Sequence, residues 1–281
     1  MKLFEYTPGT LPLLWSAPHP GLHVPADLEA RMAPVAALRA DTDWHMPQLY
    51  AFASAMGAHT LHATHSRYVI DLNRDPSGKP LYAGADNTEL CPTSTSQREP
   101  LYRVGQEPGP DEIAERTARY WQPYHAQLAQ TLASIKAKHG YALLFEAHSI
   151  KSVLPRFFEG RLPDINLGTA DDQSAPAALG AELLATARRF GEFSSVLNER
   201  FKGGYITRAH GRPDHRVYAV QLELTWRCYM DEEDGLYGFD SAHAARIQSA
   251  LQAIIERYVA WGRRRLELSG CALRRPGCLI D

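Results

Sequence analysis

The chain has 281 residues, 44% of them hydrophobic and 22% charged, with 30 basic against 32 acidic side chains. That is the balance of a globular protein with enough chain for a large core, and a formal net charge of −2 provides no basic field of the kind that draws nucleic acid or an anionic membrane. No run approaches the roughly 20 apolar residues of a membrane span. Residues 1–8 carry an acid and a proline where a signal peptide needs apolar residues, so a cytoplasmic protein is expected. Cys91, Cys228, Cys271 and Cys278 form no CxxC pair and read as free thiols.

In chain order, Leu11–Ala17 is a short apolar run that empties into Pro18-His19-Pro20-Gly21, a core strand followed by a loop. His19 therefore falls at a strand's C-terminal end, the edge where open α/β sheets bind ligands. His23 is not paired with it, because Pro20 and Gly21 forbid the helix that would align the two. A helical pattern over 25–39 is interrupted by Pro34. Asp41-Thr42-Asp43-Trp44-His45 then gathers potential ligands ahead of an amphipathic segment, Met46–Met56. Helix capping accounts for one of Asp41, Thr42 and Asp43, but hardly for two acids and a histidine. A strand is predicted over 57–65, on which His59, His62 and His65 are three apart and so do not share a face.

Ser66–Arg74 reads as a buried strand, Tyr68–Leu72, with an arginine at either end. Residues 75–110 are rich in Pro, Gly, Ser, Thr and Asn and too long for a simple connection, as functional loops or lids often are. A long helix is predicted over 111–139, kinked or split at Pro123 and capped by Gly140. Tyr141–Ala147 is a second buried strand, running out at His148. An irregular segment, 155–176, precedes a helix over 177–200, broken near Gly191, and a loop over 201–208 that feeds a strand. Val217–Thr225 is the clearest strand, with Gln221, Glu223 and Thr225 on one face. The last helix spans 241–268, with Arg263–Arg265 complementing its dipole. Strands alternating with long helices predict an α/β protein, a three-layer sandwich around a central mixed sheet. No repeat, linker or shift in composition divides 1–281, which reads as a single domain.

His19, His148 and the Asp41/Asp43 pair supply the donor types of a catalytic zinc site, which takes three protein ligands and leaves a position for water. Glu223 is placed to take that water's proton, Arg67 to stabilise an oxyanion, and Asn73 with Arg74 to clamp a carboxylate. Each also has a plainer reading: the histidines as hydrogen-bonded loop residues, Asp43 as a helix cap, Glu223 as an arginine's buried partner.

The segment 67–74 resembles the Arg-Tyr…Asp-Leu-Asn-Arg of aspartoacylase and, more distantly, the Asn-Arg pair of zinc carboxypeptidases. The closer resemblance is to N-formylglutamate amidohydrolases. It is carried in order by Pro18–Gly21, Asp41–His45, Ser66–Arg74, Ala147–Ser149, Leu162–Thr169, Lys202–Arg208 and Gln221–Leu224. The resemblance implies a zinc-carboxypeptidase-like fold and hydrolysis of N-formyl-L-glutamate to L-glutamate and formate, late in histidine degradation. It implies His19 and His148 as metal ligands, Glu223 as catalytic base, Arg67 at the oxyanion, and Asn73 with Arg74 on a substrate carboxylate. The carboxypeptidases and aspartoacylase place a glutamate three residues after the first histidine, where this chain has Leu22. Asp43 is the favoured replacement, with Asp27, Asp41 and His45 as alternatives. Glu146 fits an expected acid two residues before His148. A small dicarboxylate substrate needs a second cation, for which Arg208, with Arg156 behind it, is the choice. The alternatives are a related amidohydrolase or carboxypeptidase acting on another N-acyl amino acid, and a non-catalytic metabolite-binding protein on the same fold. Other divalent metals suit the same donors, and oligomeric state is left open.

Overall fold

A computed structural model describes residues 1–81, 86–232 and 237–272, with side chains at the C-terminal end described as far as residue 265. Cys271 and Cys278 fall outside the described side chains; Cys91 and Cys228 are buried free thiols. The strands are β1 (Phe4–Thr7), β2 (Leu13–Ala17), β3 (His59–Ala63), β4 (Ala142–Ile150), β5 (Ile165–Gly168), β6 (Ser195–Leu197) and β7 (Val217–Thr225). The helices are α1 (Ala26–Glu29), α2 (Met46–Leu49), α3 (Ala51–Ala55), α4 (Pro110–Arg116), α5 (Gln122–His139), α6 (Ala177–Arg188), α7 (Tyr205–His210) and α8 (Ser241–Ala272).

The strands form one mixed sheet in the order β1-β3-β2-β4-β7-β5-β6. β3, β2, β4 and β7 run parallel, whereas β1 joins β3 and β5 joins β7 in antiparallel fashion. The central strands are buried on both faces, which is why they read as near-continuous apolar runs. On one face Leu13, Trp15, Leu143, Phe145, Val220 and Leu222 pack against α2, α3, α6 and α8. The stripe Ile247, Leu251, Ile254 and Tyr258 on α8 is fully buried there. On the other face Leu14, Leu61, Leu144 and Ala219 meet Tyr124, Leu128, Leu132 and Ile135 of α5. The expected three-layer α/β sandwich is the observed architecture.

The irregularity expected at Pro123 appears as a π turn over Thr117–Trp121 between α4 and α5. Proline lacks the N–H that would continue the ladder, and it sits in the first turn of α5, where that loss is tolerated. Gly140 caps α5 in the left-handed conformation, φ 79°.

Several predicted elements differ: β5 lies inside the segment expected to be irregular, and the helix expected over 25–39 shrinks to α1 and a 3-10 turn over Pro34–Leu38. Tyr68–Leu72 is buried but forms no ladder; Val69 N–H bonds Ser66 O at 2.9 Å and Asp71 N–H bonds Leu90 O at 2.7 Å. The Asp71 carboxylate accepts the Asn73 N–H at 2.9 Å, a side-chain bond that competes with strand pairing. The helix predicted over 177–200 stops at Arg188, because Ser195–Leu197 is drawn into parallel pairing along the edge of β5. The segment 201–208 feeds α7 instead of a strand, with Gly204 at its N-cap.

Candidate metal centre and active site

Because β2, β4 and β7 are parallel, their C-terminal ends share one edge of the sheet. His19 lies two residues past β2, and His148 and Glu223 are register partners near the ends of β4 and β7. Glu146 and Gln221 are the register pair two positions earlier, on the sheet face opposite the α8 core. Asp43 comes from the loop ahead of α2, tied to the end of β2 by Asp43 N–H to His19 O at 3.1 Å.

His19, Asp43 and His148, all buried, offer ligand atoms within 4.8 Å of one another, a group able to hold a metal ion. His148 Nδ1 is 2.9 Å from Asp43 Oδ2, while His19 Nδ1 is 3.7 Å from that oxygen, too long for a hydrogen bond. His19 Nδ1 is thus a buried nitrogen with no hydrogen-bond partner, aimed at a carboxylate and a second imidazole. Such an orphan is costly unless something else fills its coordination. Each histidine is held at its far nitrogen by an acid: His19 Nε2 is 2.7 Å from Asp71 Oδ1, and His148 Nε2 is 2.9 Å from Glu146 Oε1. Carboxylates behind metal-binding histidines fix ring orientation and tautomer. The His/Asp/His donors and their acidic supports fit a divalent ion.

The electrostatics follow from burial among these partners. Burial opposes the Asp43 charge, yet the His148 bond and the charges of both nearby histidines hold its carboxyl well below the usual range. Burial likewise opposes charge on His148, but Asp43 and Glu146 raise it well above an ordinary histidine. Asp71 is held low against burial by Arg67, Arg74 and His19. Among the described residues no cation bonds Glu223, and burial pushes its carboxyl up to about 8.

A cavity of about 280 Å³ opens on this group. His19, Asp43, His148, Glu223, Arg67, Asn73 and Arg74 all contribute to its wall. Arg67 donates from Nη2 to Asp71 Oδ2 at 2.6 Å. Arg74 donates from Nη2 to Thr88 Oγ1 at 2.7 Å and from Nε to Thr88 O at 3.1 Å. The 75–110 segment supplies Thr88, Pro92, Ser94 and Ser96 to the wall, and its described residues hold neither helix nor strand before Pro110. An apolar side is formed by Leu154, Phe157, Phe201, Trp226 and Tyr237.

A sequence model for the family described as N-formylglutamate amidohydrolase matches residues 11–230. The chain belongs to the N-formylglutamate amidohydrolase family. It is 46% identical over 265 residues to an N-formylglutamate deformylase of Pseudomonas aeruginosa, covering 94% of this chain and 98% of the relative. It is 42% identical to an N-formylglutamate deformylase of Pseudomonas putida, over 95% and 99% of the two chains. The crystal structure of an N-formylglutamate amidohydrolase from Ralstonia eutropha JMP134 has the same fold, with a TM-score of 0.78 at 24% identity over 94% of this chain and 99% of that one.

Within this family member, several residues sit where sequence patterns do not place them. Among the alternatives to Asp43, Asp41 accepts Ser96 N–H at 3.0 Å and Tyr68 O–H at 3.0 Å. Asp27 is exposed in the first turn of α1. His45 is turned to Tyr237 O, 2.6 Å from its Nε2. Asn73 touches the cavity, but its amide is spent inward: Oδ1 accepts Ile206 N–H at 2.8 Å and Nδ2 lies 2.9 Å from His148 Nε2. Gly204 allows this contact, since a Cβ there would stand 2.2 Å from Asn73 Nδ2. Arg208 and Arg156 do not line the main cavity; Arg208 Nε donates to Gly203 O, and Arg156 is engaged by Asp86, Ser94 and Thr95. Arg200 and Lys151 are wall cations that the sequence reading passed over. So was Asp71, although a carboxylate framed by Arg67 and Arg74 within a buried run was a visible sign.

Proposed function

We propose that this chain hydrolyses N-formyl-L-glutamate to L-glutamate and formate, late in histidine degradation, as a zinc-dependent cytoplasmic enzyme. The observation that carries the reading is the meeting, in one cavity, of the His19/Asp43/His148 group, a buried carboxyl at Glu223 and the Arg67 guanidinium. The names of the Pseudomonas relatives support the substrate. Among the described residues no helix is long and apolar enough to cross a membrane.

His19 Nδ1, Asp43 and His148 Nδ1 would hold the ion, a donor set of two imidazoles and a carboxylate that suits zinc. When bound, zinc supplies positive charge that polarises the formyl carbonyl, acidifies a water and favours the ionised form of Glu223. Ionised Glu223 accepts a proton from the attacking water. Its neutral form, which burial favours, then delivers that proton to the departing amine. Arg67, fixed by Asp71, donates to the oxygen that becomes negative in the tetrahedral state. Arg74 seats one substrate carboxylate, while Asn73 Oδ1 holds the start of α7 through Ile206 N–H. The second carboxylate meets the remaining wall cations, Arg200 and Lys151.

The test is formate release from N-formyl-L-glutamate, measured before and after a chelator strips metal and after zinc is restored. Loss and recovery are expected; activity that survives a metal content near zero would reject the zinc mechanism. N-acetylglutamate and peptide substrates run beside it should give much lower kcat/KM.

A further inference from the structure

Asp71 is fully buried, with both oxygens occupied by groups that belong to different halves of the site. Oδ1 faces His19 Nε2 at 2.7 Å and accepts Asn73 N–H at 2.9 Å. Oδ2 accepts Arg67 Nη2 at 2.6 Å, with Arg74 Nη1 at 3.7 Å. The carboxylate is itself anchored through its backbone: Asp71 N–H bonds Leu90 O at 2.7 Å, and Arg74 N–H bonds Asp71 O at 3.2 Å. An ionised carboxylate only accepts. Contact at this distance therefore requires His19 to carry a proton on Nε2, which leaves Nδ1 as the nitrogen able to bind a cation. Nδ1 is the atom found buried and without a hydrogen-bond partner.

We propose that Asp71 is a positioning residue shared by the metal side and the oxyanion side of the site, fixing the His19 tautomer through one oxygen and the Arg67 guanidinium through the other. The two functions are then coupled through one carboxylate and are lost together. The Arg67 part rests on the hydrolytic reading above; the His19 part does not. The geometry excludes a neutral replacement: an amide offers one acceptor atom, so Asp71→Asn can satisfy His19 or Arg67 but turns an N–H₂ toward the other donor.

The experiment takes the full chain, stripped of metal by a chelator, and compares wild type with Asp71→Asn. Zinc affinity is read by competition with a chromophoric chelator, and a fall of about 10- to 100-fold is expected. Turnover of N-formyl-L-glutamate should fall more than its KM rises. In an Arg67→Ala background, added guanidinium should restore turnover while Asp71 is present and fail once Asp71→Asn is added. A readout that needs no variant is the nitrogen-15 spectrum of zinc-loaded wild type, in which His19 should show a proton on Nε2. Wild-type zinc affinity in Asp71→Asn, equal rescue in both backgrounds, or a His19 proton on Nδ1 would each overturn the proposal. If wild type releases no formate, the hydrolytic reading fails on its own, and the zinc affinity and spectrum still decide the hold of Asp71 on His19.

Discussion

His148 and Glu223 are register partners in the parallel ladder of β4 and β7. The hydrogen bonds that build the sheet therefore also set the separation between a metal-ligand candidate and the proposed proton carrier. Neither residue depends on a loop for its position, and strands hold such groups more tightly than loops do.

Glu223→Gln keeps the shape of the side chain and removes its proton chemistry. Turnover is expected to fall by about 10²- to 10⁴-fold, with zinc content and KM near wild type. Steady-state kinetics beside elemental analysis would check this. Unchanged turnover would remove Glu223 from the mechanism.

Arg67 and Arg74 bracket the same buried turn and both face Asp71, but their short side-chain hydrogen bonds go to different groups, Asp71 for Arg67 and Thr88 for Arg74. Arg67→Ala should act on kcat, lowering it by about 10²- to 10³-fold as for loss of an oxyanion donor. Arg74→Ala should act chiefly on KM, raising it by about tenfold or more as one charged hydrogen bond is lost. Arg67→Lys should not restore the first effect, because an ammonium cannot reproduce the fork held by Asp71. Equal effects of both alanine variants on kcat would show that the two residues are not divided in this way.

What could be read from the residues alone follows the physics of each element. β4 and β7 were legible because burial on both faces leaves long apolar runs, and the parity of β7 already put Gln221, Glu223 and Thr225 together. β6 was not legible: three half-buried residues form it, and their pairing partner β5 lies 30 positions earlier in the register. Tyr68–Leu72 shows the converse, apolar burial without a strand, since periodicity cannot tell a buried turn from a buried ladder. His19, Asp43 and His148 come together because strand ends converge, which is a property of topology. The arginines were the least legible, because the partners that engage a guanidinium are set by tertiary contacts.

Those contacts yield a comparison of arginines. Arg200 lines the cavity with its Nε bonded to Phe157 O and its guanidinium 5.2 Å from the Phe201 ring centroid, whereas Arg208 and Arg156 do not line it. Arg200→Ala should raise KM for N-formyl-L-glutamate by about 10- to 100-fold. The same substitution should change little with an N-formyl amino acid that lacks a side-chain carboxylate. Arg208→Ala and Arg156→Ala should leave KM within about threefold, because neither side chain lines the cavity. A KM effect confined to Arg208→Ala would return the second carboxylate to α7.

Away from the cavity, a buried histidine and a half-buried one set an acid limit on stability. His125 on α5 lies against Trp121, with ring centroids 3.7 Å apart, and its Nε2 is 2.8 Å from Leu72 O. Burial pushes His125 down to about 3, and burial also brings His210, 3.3 Å away across the ring nitrogens, to about 4. In the unfolded chain both titrate near pH ~6.5. Their folded values lie below their unfolded ones, so between these limits the unfolded state binds more protons. Stability is then full above pH ~6.5 and is lost as pH falls toward the folded values. For His125 alone the loss at pH 5 is on the order of 2 kcal/mol. His125→Gln keeps a donor for Leu72 O and removes the titration. Urea midpoints measured from pH 7 to pH 5 should show the acid slope of the variant reduced by close to one proton relative to wild type. An unchanged slope would mean that His125 is protonated in the folded protein at these pH values, and that the acid limit is set elsewhere.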